Sequence, residues 1–372
     1  MKHRTPLRIM LCVGVLVSAS ALLWSCSRNN PVTGPESTAD NGAVLSIKSP
    51  AMQAAMRVQD RNTPDIMNID GVVGIATGVD DNGRPAIHVY TERALAPGRI
   101  PAELDGYRVM AIVTGKITAY KGGGGGVSHT AVQTPPIQLG TSGGPALDLA
   151  NGYCCGGTLG SLVTGGGRQY ILSNSHVFAG DVTSGGNGRV SSVGDDVVQP
   201  GLIDVNCSAS GAQVVADVST LSTLFPPNST PNIDASLAEV RPGMVRTDGA
   251  ILEIGTLSSS TVGASVGQAV KKSGRTTGLS RSSVSGLNAT INVGYSNECA
   301  GGSFTKQFTG QIVINNKGSR FLNSGDSGSL MVEDVTSNPR AVGLLYAGSS
   351  SVAIANPINT VLSHFGVSMV GN

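Results

Sequence analysis

From about residue 138 to the C-terminus, the sequence alternates short aliphatic and β-branched runs with turns rich in glycine and serine. Glycine accounts for 51 of the 372 residues, about twice its usual share of roughly 7%. Charged residues make up only 13% of the chain, whereas long amphipathic helices need a charged outer face. The pattern therefore argues against a helical bundle and predicts an all-β domain of short strands and tight turns.

A helical pattern returns only near the C-terminus, over residues 356–365. Pro357 at the first helical position and Gly366 just after the end fit the rules for helix starts and stops. An all-β domain of this length that ends in one helix fits a double β-barrel or a sandwich.

The charges balance almost completely, with 25 basic and 24 acidic residues and a net charge of +1. Such a chain has no overall field to attract nucleic acid or an anionic membrane. We therefore expect no nucleic-acid partner.

The N-terminus has the pattern of an export signal. Basic residues within 1–8 precede an apolar run over 9–24, which is too short for a confident membrane span. The run ends in Leu-Trp-Ser-Cys at 23–26, which resembles a bacterial lipobox with Cys26 as the acylated residue. Cleavage of an ordinary signal near 19–21 is the alternative. We expect export to the cell envelope (periplasm or outer membrane, held by the lipid anchor) or to the outside of the cell.

Composition divides the chain into five segments. They are a signal peptide with lipobox (1–26), a flexible tether (27–48), a small β-rich N-terminal module (49–120), a Gly/Pro linker (121–137) and the main domain (138–372). The linker contains five consecutive glycines, which favour a hinge. We expect the module to have a regulatory or docking role.

The N-terminal module combines one helix with a few strands. A helix is predicted within 49–61, and apolar runs at 71–78 and 85–91 flank Asn82-Gly83, which is a strong hairpin signal. A third apolar run at 107–114 completes this α+β module.

Two of the six cysteines lie within the N-terminal 26 residues. The others are Cys154, Cys155, Cys207 and Cys299. Adjacent cysteines rarely pair with each other, so we expect one of Cys154 and Cys155 to bond Cys207 or Cys299. Sequence leaves the connectivity open, and no ligand spacing supports a zinc site.

Three short stretches carry residues suited to nucleophilic catalysis. His176 ends an apolar strand over 169–177, Asp234 precedes another apolar stretch, and Ser327 lies in the glycine-bounded turn Gly-Asp-Ser-Gly. A serine hydroxyl becomes a good nucleophile when an imidazole accepts its proton, and a buried carboxylate fixes the imidazole tautomer. Backbone N–H groups of a tight glycine turn can stabilise the oxyanion.

Five other aspartates lie in the same part of the chain, namely Asp195, Asp196, Asp204, Asp217 and Asp248. None of them has the Ile-Asp-Ala-hydrophobic setting of Asp234, so Asp234 is the predicted partner of His176.

The order His, Asp, Ser together with Gly-Asp-Ser-Gly-Ser resembles the trypsin-like (chymotrypsin-fold) serine peptidases. The stretch at 155–160 resembles the strand before the histidine of that family, and 341–348 resembles the strand that lines the substrate cleft. The motifs at 194–201, 272–278 and 355–358 resemble a bacterial subgroup related to the plant narrow-leaf proteins. The resemblance covers about residues 138–370 and extends to the small module before them.

The resemblance implies a chymotrypsin-like double β-barrel with a C-terminal helix, and an exported serine endopeptidase that acts on proteins or peptides. It assigns Ser327 as nucleophile, His176 as general acid/base and Asp234 as its orienting partner. The backbone N–H groups of Gly325 and Ser327 would form the oxyanion hole. The implied substrate cleft contains Phe321, Tyr346, Ala347 and Gly348. No metal or organic cofactor is needed.

Three features depart from animal trypsins. The disulfide beside the histidine is missing, and Phe321 stands where trypsin has an acidic residue, which argues against specificity for Arg or Lys. No activation site occurs near residue 138, so Asp326 either has another partner or only shapes its turn. Lys271, Lys272 and Arg275 form a basic cluster that we interpret as a solvated strand end.

Other functions stay open. The chain could be a catalytically silent trypsin-fold binding or scaffold lipoprotein, or a surface adhesin whose Gly-Asp-Ser-Gly is coincidental. It could also be a self-processing peptidase that cuts its own linker near 121–136.

Overall fold

The computed structural model describes residues 45–119, 127–149, 154–183, 185, 188–296 and 300–372. The signal peptide and lipobox with Cys26, most of the tether, the glycine run of the linker and Cys299 lie outside these residues. Within the described part of the chain, no helix is both long and apolar enough to span a membrane.

The described helices are few and mostly short. They are α1 (Pro50–Met67), α2 (Val127–Thr130), α3 (Ser175–Phe178) and α4 (Ile358–Phe365). The Ser49 hydroxyl caps α1 by accepting a hydrogen bond from the Met52 backbone N–H at 3.4 Å. Helix α1 runs six residues beyond the predicted end at residue 61. The C-terminal helix is confirmed, although Pro357 is its N-cap and not its first helical residue.

The remaining elements are strands. They are β1 (Val72–Val79), β2 (Pro85–Thr91), β3 (Glu103–Leu104), β4 (Tyr107–Val113), β5 (Thr118–Ala119), β6 (Thr141–Pro145), β7 (Gly157–Leu159), β8 (Ser161–Gly165), β9 (Arg168–Ser173), β10 (Asp196–Gln199), β11 (Gln213–Leu221), β12 (Ser236–Val240), β13 (Ala269–Lys272), β14 (Ser280–Tyr295), β15 (Phe304–Asn315), β16 (Leu330–Glu333), β17 (Ala341–Gly348), β18 (Val352–Pro357) and β19 (Ser368–Met369).

The first sheet has the order β19-β8-β9-β12-β11-β10-β6-β7. Only Gly160 separates β7 from β8 in the chain, so the sheet closes on itself as a barrel in which β7 and β8 act as one bent strand. Its core contains Leu159, Leu162, Ile171 and Phe178. The C-terminal β19 adds to the edge of β8.

The second barrel has the order β13-β16-β17-β18-β15-β14, and the pairing of β13 with β14 closes the ring. All of these pairings are antiparallel. The predicted double β-barrel with a C-terminal helix is thereby confirmed.

The N-terminal module extends the sheet of the second barrel. Its β1–β2 hairpin has the predicted position, with Val79 opposite Pro85, and β4 lies parallel to β2. Strand β1 also pairs with β14, where Gly74 lies opposite Ile291. The module and both barrels belong to one compact unit. The boundaries of the predicted segments stay predictions, but the module and the second barrel share hydrogen bonds along a sheet.

The first barrel is further restrained by hydrogen bonds to the linker and by a disulfide. The second half of the predicted linker is bound to it, since the Gln199 side chain donates to the Ala131 carbonyl at 2.8 Å and Gln213 donates to the Gln133 carbonyl at 2.6 Å. A disulfide joins Cys154 and Cys207, which is one of the pairings that the sequence allows.

Candidate active site

His176 and Asp234 come together because two paired strands end side by side. His176 lies in α3, which follows β9, and Asp234 precedes β12. Strands β9 and β12 are antiparallel, with Ser173 opposite Ser236. His176 Nδ1 and Asp234 Oδ2 are 2.5 Å apart, and both side chains are at most 1% exposed. A buried carboxylate on Nδ1 leaves Nε2 as the nitrogen that can accept a proton.

The Asp234 carboxylate has two further hydrogen-bond donors. The Tyr295 hydroxyl, from the end of β14, donates to Oδ2 at 3.0 Å, and the His176 backbone N–H donates to Oδ1 at 3.2 Å. Burial, reinforced by the nearby charge of Asp234, raises the pKa of Tyr295 well above its ordinary value. The phenol therefore stays protonated, and it keeps donating to the carboxylate at neutral pH.

Two asparagine side chains fix the Asp234 backbone. Asn174 donates to the Asp234 carbonyl at 2.7 Å, and Asn356 donates to the same carbonyl at 3.0 Å. Asn356 also accepts from the Asp234 backbone N–H at 3.1 Å. Asn174 belongs to the first barrel and Asn356 lies on β18 of the second, so both barrels set the position of Asp234.

The other aspartates that the sequence left as candidates bind elsewhere. They contact Ser192 (Asp195), Arg241 (Asp196 and Asp217), Arg275 (Asp204) and Arg246 (Asp248). Among the described carboxylates, only Asp234 is hydrogen-bonded to His176.

His176 Nε2 is buried and has no hydrogen-bond partner within the described residues. An unsatisfied buried polar atom is costly in a folded protein and calls for an explanation. The Tyr295 ring lies edge-on to the imidazole at 5.9 Å between centroids, which restricts rotation of the ring. The site thus holds an oriented imidazole with one free nitrogen.

Ser327 lies in a turn that requires its glycines. Gly325 and Gly328 have φ values of +94° and +93°, a region that glycine adopts far more easily than other residues. A Cβ on Gly328 would lie 2.3 Å from both the Ser173 Oγ and the Thr158 carbonyl oxygen. The Ser327 hydroxyl is buried and donates to the Tyr346 carbonyl at 3.2 Å, and not to His176.

The peptide groups around Ser327 are held by their carbonyls. Thr276 Oγ1 donates to the Ser324 carbonyl at 2.5 Å, and the Ser329 backbone N–H donates to the Asp326 carbonyl at 3.0 Å. Because N–H and C=O point in opposite directions in a trans peptide, these contacts orient the N–H groups of Gly325 and Ser327. Neither N–H donates a hydrogen bond to the protein anywhere in the described part of the chain.

Because the sequence has no activation site near residue 138, the partner of Asp326 was undecided. The structure supplies one. Lys272 Nζ lies 3.0 Å from Asp326 Oδ1, and both side chains are fully buried. The backbone N–H groups of Thr276 and Thr277 donate to Oδ1 at 2.9 and 3.1 Å, and that of Asn323 donates to Oδ2 at 2.9 Å. The carboxylate therefore joins the Lys272–Gly278 loop to the Ser327 turn.

The interpretation of Lys271, Lys272 and Arg275 as a solvated strand end is wrong, because all three residues are buried. Burial lowers the pKa of Lys272, although the adjacent Asp326 opposes the shift. Arg275 forms an ion pair with Asp204 at 2.5 Å. Lys272 and Arg275 are internal because acidic residues distant in sequence pair with them there, whereas Lys271 donates to the Val335 carbonyl.

The predicted cleft residues have different placements. Phe321 is buried among the core residues of the second barrel. The Tyr346 ring is also buried and packs on Phe308, with centroids 5.0 Å apart. Tyr346, Ala347 and Gly348 form the end of β17, and the Tyr346 backbone carbonyl faces Ser327.

Sequence reasoning assigned no role to four contributors to this arrangement, namely Tyr295, Thr276, Asn174 and Asn356. Thr276 and Asn356 lie in the motifs at 272–278 and 355–358, so the sequence marked their positions but did not indicate what they do. Tyr295 ends a long strand in which nothing distinguishes it from a core tyrosine.

Residues 232–356 match the family model of the Nal1 C-terminal domain. This match confirms the resemblance to the plant narrow-leaf proteins, and the matched segment contains Asp234 and Ser327 but not His176. No curated protein matches the sequence.

Several solved bacterial serine proteases are similar in chain course. A glutamic acid specific serine protease shares 21% identity, covers 63% of this chain and 100% of its own, and has a TM-score of 0.40. Protease A of Thermobifida fusca shares 20% identity over 63% of this chain and 99% of its own, with a TM-score of 0.41. The chymotrypsin of Cellulomonas bogoriensis shares 18% identity over 58% of this chain and 91% of its own, with a TM-score of 0.36. Similarity at this level says nothing about activity.

Proposed function

We propose that the protein is a serine endopeptidase that hydrolyses peptide bonds through Ser327, His176 and Asp234. The observation that carries the proposal is the buried pair of His176 and Asp234, which leaves the Nε2 of the imidazole unpartnered. An imidazole held in this way is suited to act as general base.

In the proposed reaction, Ser327 Oγ attacks the substrate carbonyl carbon and His176 Nε2 takes the hydroxyl proton. The Ser327 hydroxyl first has to leave the Tyr346 carbonyl and turn towards Nε2, and catalytic hydrogen bonds often form only when substrate binds. The N–H groups of Gly325 and Ser327 donate to the oxyanion. Asp234 and Tyr295 stabilise and orient the imidazolium.

The tetrahedral intermediate then collapses, the C–N bond breaks, and the amine leaves with the proton from Nε2. Water attacks the acyl-enzyme ester, again giving its proton to His176, and Ser327 recovers its proton as the acid product departs. No metal or organic cofactor takes part in these steps.

The test is hydrolysis of a defined peptide mixture by the full chain in water enriched in ¹⁸O, followed by mass spectrometry. We expect new C-termini that carry ¹⁸O, and their absence with the Ser327→Ala variant. Equal product formation by both proteins would contradict the proposal.

We further propose that the protein is exported and anchored to a membrane through a lipid on Cys26, which rests on the sequence of residues 1–26. Fractionation should place the wild type in the membrane fraction and the Cys26→Ala variant in the soluble exported fraction. Identical fractionation of the two would contradict the anchor.

A further inference from the structure

Strand β5 pairs with strands far from its neighbours in the chain. Thr118 and Ala119 lie opposite Gly348 and Ala347 of β17 in an antiparallel register. On its other side, β5 is parallel to the end of β14, where the Gly294 N–H donates to the Ile117 carbonyl at 3.0 Å. The segment therefore lies as a short strand between β14 and β17.

The end of β17 that β5 covers is the end beside the candidate nucleophile. The Ser327 hydroxyl donates to the carbonyl of Tyr346, the residue just before the two that pair with β5. A substrate peptide that brings a carbonyl to Ser327 and extends along this edge would add to β17 as an antiparallel strand, a common mode of peptide recognition. Strand β5 already has this orientation on this edge.

A buried side chain anchors the segment. Ile117 is 2% exposed and belongs to the same apolar cluster as Tyr295 and Tyr346. The segment is therefore held by the buried Ile117 side chain and by the pairing of its backbone with β14 and β17. The Ser327 and His176 side chains beside it are also withdrawn from solvent.

We propose that residues Ile117–Ala119 are an internal peptide ligand that occupies the substrate edge of β17 and keeps the enzyme autoinhibited. The inference rests on the proposed peptidase function. Because the segment is part of the chain, its effective concentration at this edge is high, in the millimolar range that is typical of short tethers. An extended substrate has to displace it, whereas a reagent that contacts only Ser327 does not.

The experiment compares two probes of Ser327 on the full chain. One is the diphenyl phosphonate analogue of alanine, and the other carries the same group at the end of a tri-alanine peptide. The measured quantity is the ratio of their labelling rate constants. Ile117→Asp removes the anchor, and Val113→Asp is the matched control, because Val113 lies in the same module and is 53% exposed.

We expect the ratio of tripeptide to single-residue labelling to be small in the wild type and in Val113→Asp. It should rise about tenfold or more in Ile117→Asp, where the peptide no longer competes with a tethered strand. Thr118→Pro is a second variant that weakens β5 pairing without placing a charge in the core, because proline has no backbone N–H.

An unchanged ratio in whichever of these two variants is folded would overturn the inference, and so would a wild type that already favours the tripeptide as strongly as the variants do. A site that the single-residue probe fails to label in every form would overturn the proposed function and, with it, the inference. Labelling of Ser327 with an unchanged ratio would overturn the autoinhibition alone.

Discussion

The two halves of the candidate site are restrained in different ways. Around the general base His176, the restraining contacts are made to the catalytic side chains themselves, since Tyr295 and His176 are both hydrogen-bonded to the Asp234 carboxylate. Around the nucleophile Ser327, contacts are made to carbonyls and to the Asp326 carboxylate, while the N–H groups of Gly325 and Ser327 donate no hydrogen bond to the described residues. A general base has to be held in one tautomer, whereas an oxyanion hole needs donors that are oriented but unused.

This difference predicts that substitutions around His176 and Asp234 lower catalysis without destabilising the fold. Substitutions around the Ser327 turn should affect catalysis or the stability of the fold. Four substitutions test it, in order of decreasing expected effect.

Asp234→Asn should have the largest effect, a loss of about 10⁴-fold in kcat, because an amide no longer enforces the imidazole tautomer. The variant should unfold at nearly the same urea concentration as the wild type. Asp195→Asn is the matched control, since this carboxylate accepts a hydrogen bond only at the surface. A loss below tenfold in Asp234→Asn would show that the pair is structural.

Lys272→Met should lower the free energy of unfolding by about 3–5 kcal/mol, because it leaves the buried Asp326 carboxylate without its cation. Urea denaturation measures this change. Lys271→Met in the same strand is the control, because Lys271 donates to the Val335 carbonyl at 2.7 Å and forms no ion pair with the described residues. Equal destabilisation by the two variants would remove the special role of the Lys272–Asp326 pair.

Thr276→Val should lower kcat/KM by about 10- to 100-fold, somewhat less than the loss of a whole oxyanion donor. Valine keeps the shape of the side chain but cannot hold the Ser324 carbonyl, so the Gly325 N–H loses its orientation. Thr276→Ser retains the hydroxyl and should recover most of the activity. If serine and valine behave alike, the hydroxyl does not set the geometry.

Tyr295→Phe should have the smallest effect, a fall in kcat of about three- to tenfold with little change in KM, because one hydrogen bond to a charged group is worth about 1.5–3 kcal/mol at most. Tyr90→Phe is the matched control in the same apolar cluster, since the Tyr90 hydroxyl has no partner among the described residues. Equal kcat values in the two variants would reduce Tyr295 to a packing residue.

Local patterns predicted much of this arrangement. The Asn-Gly turn predicts the β1–β2 hairpin, because turn and strands are neighbours in the chain. The setting of His176 and Asp234 beside apolar strands, and of Ser327 in a glycine-bounded turn, selected residues that the structure places where the two barrels meet.

Contacts between distant segments could not be predicted. Lys272 and Asp326 are 54 positions apart in the chain. Because no acidic residue lies beside Lys272 in the sequence, the basic cluster was interpreted as exposed. The pairing of β5 with β17 joins a strand that the sequence predicted to a two-residue segment that has no strand signal of its own. Tyr295 acquires its partner only when β14 of the second barrel meets the loop before β12 of the first.

The most direct test of the central claim, that Ser327 is an activated nucleophile, is labelling of the purified protein with a fluorophosphonate and location of the adduct by mass spectrometry. The account predicts one adduct, on Ser327, that is absent in Ser327→Ala and strongly reduced in His176→Ala. An adduct elsewhere, or one on Ser327 that forms equally fast in His176→Ala, would contradict it.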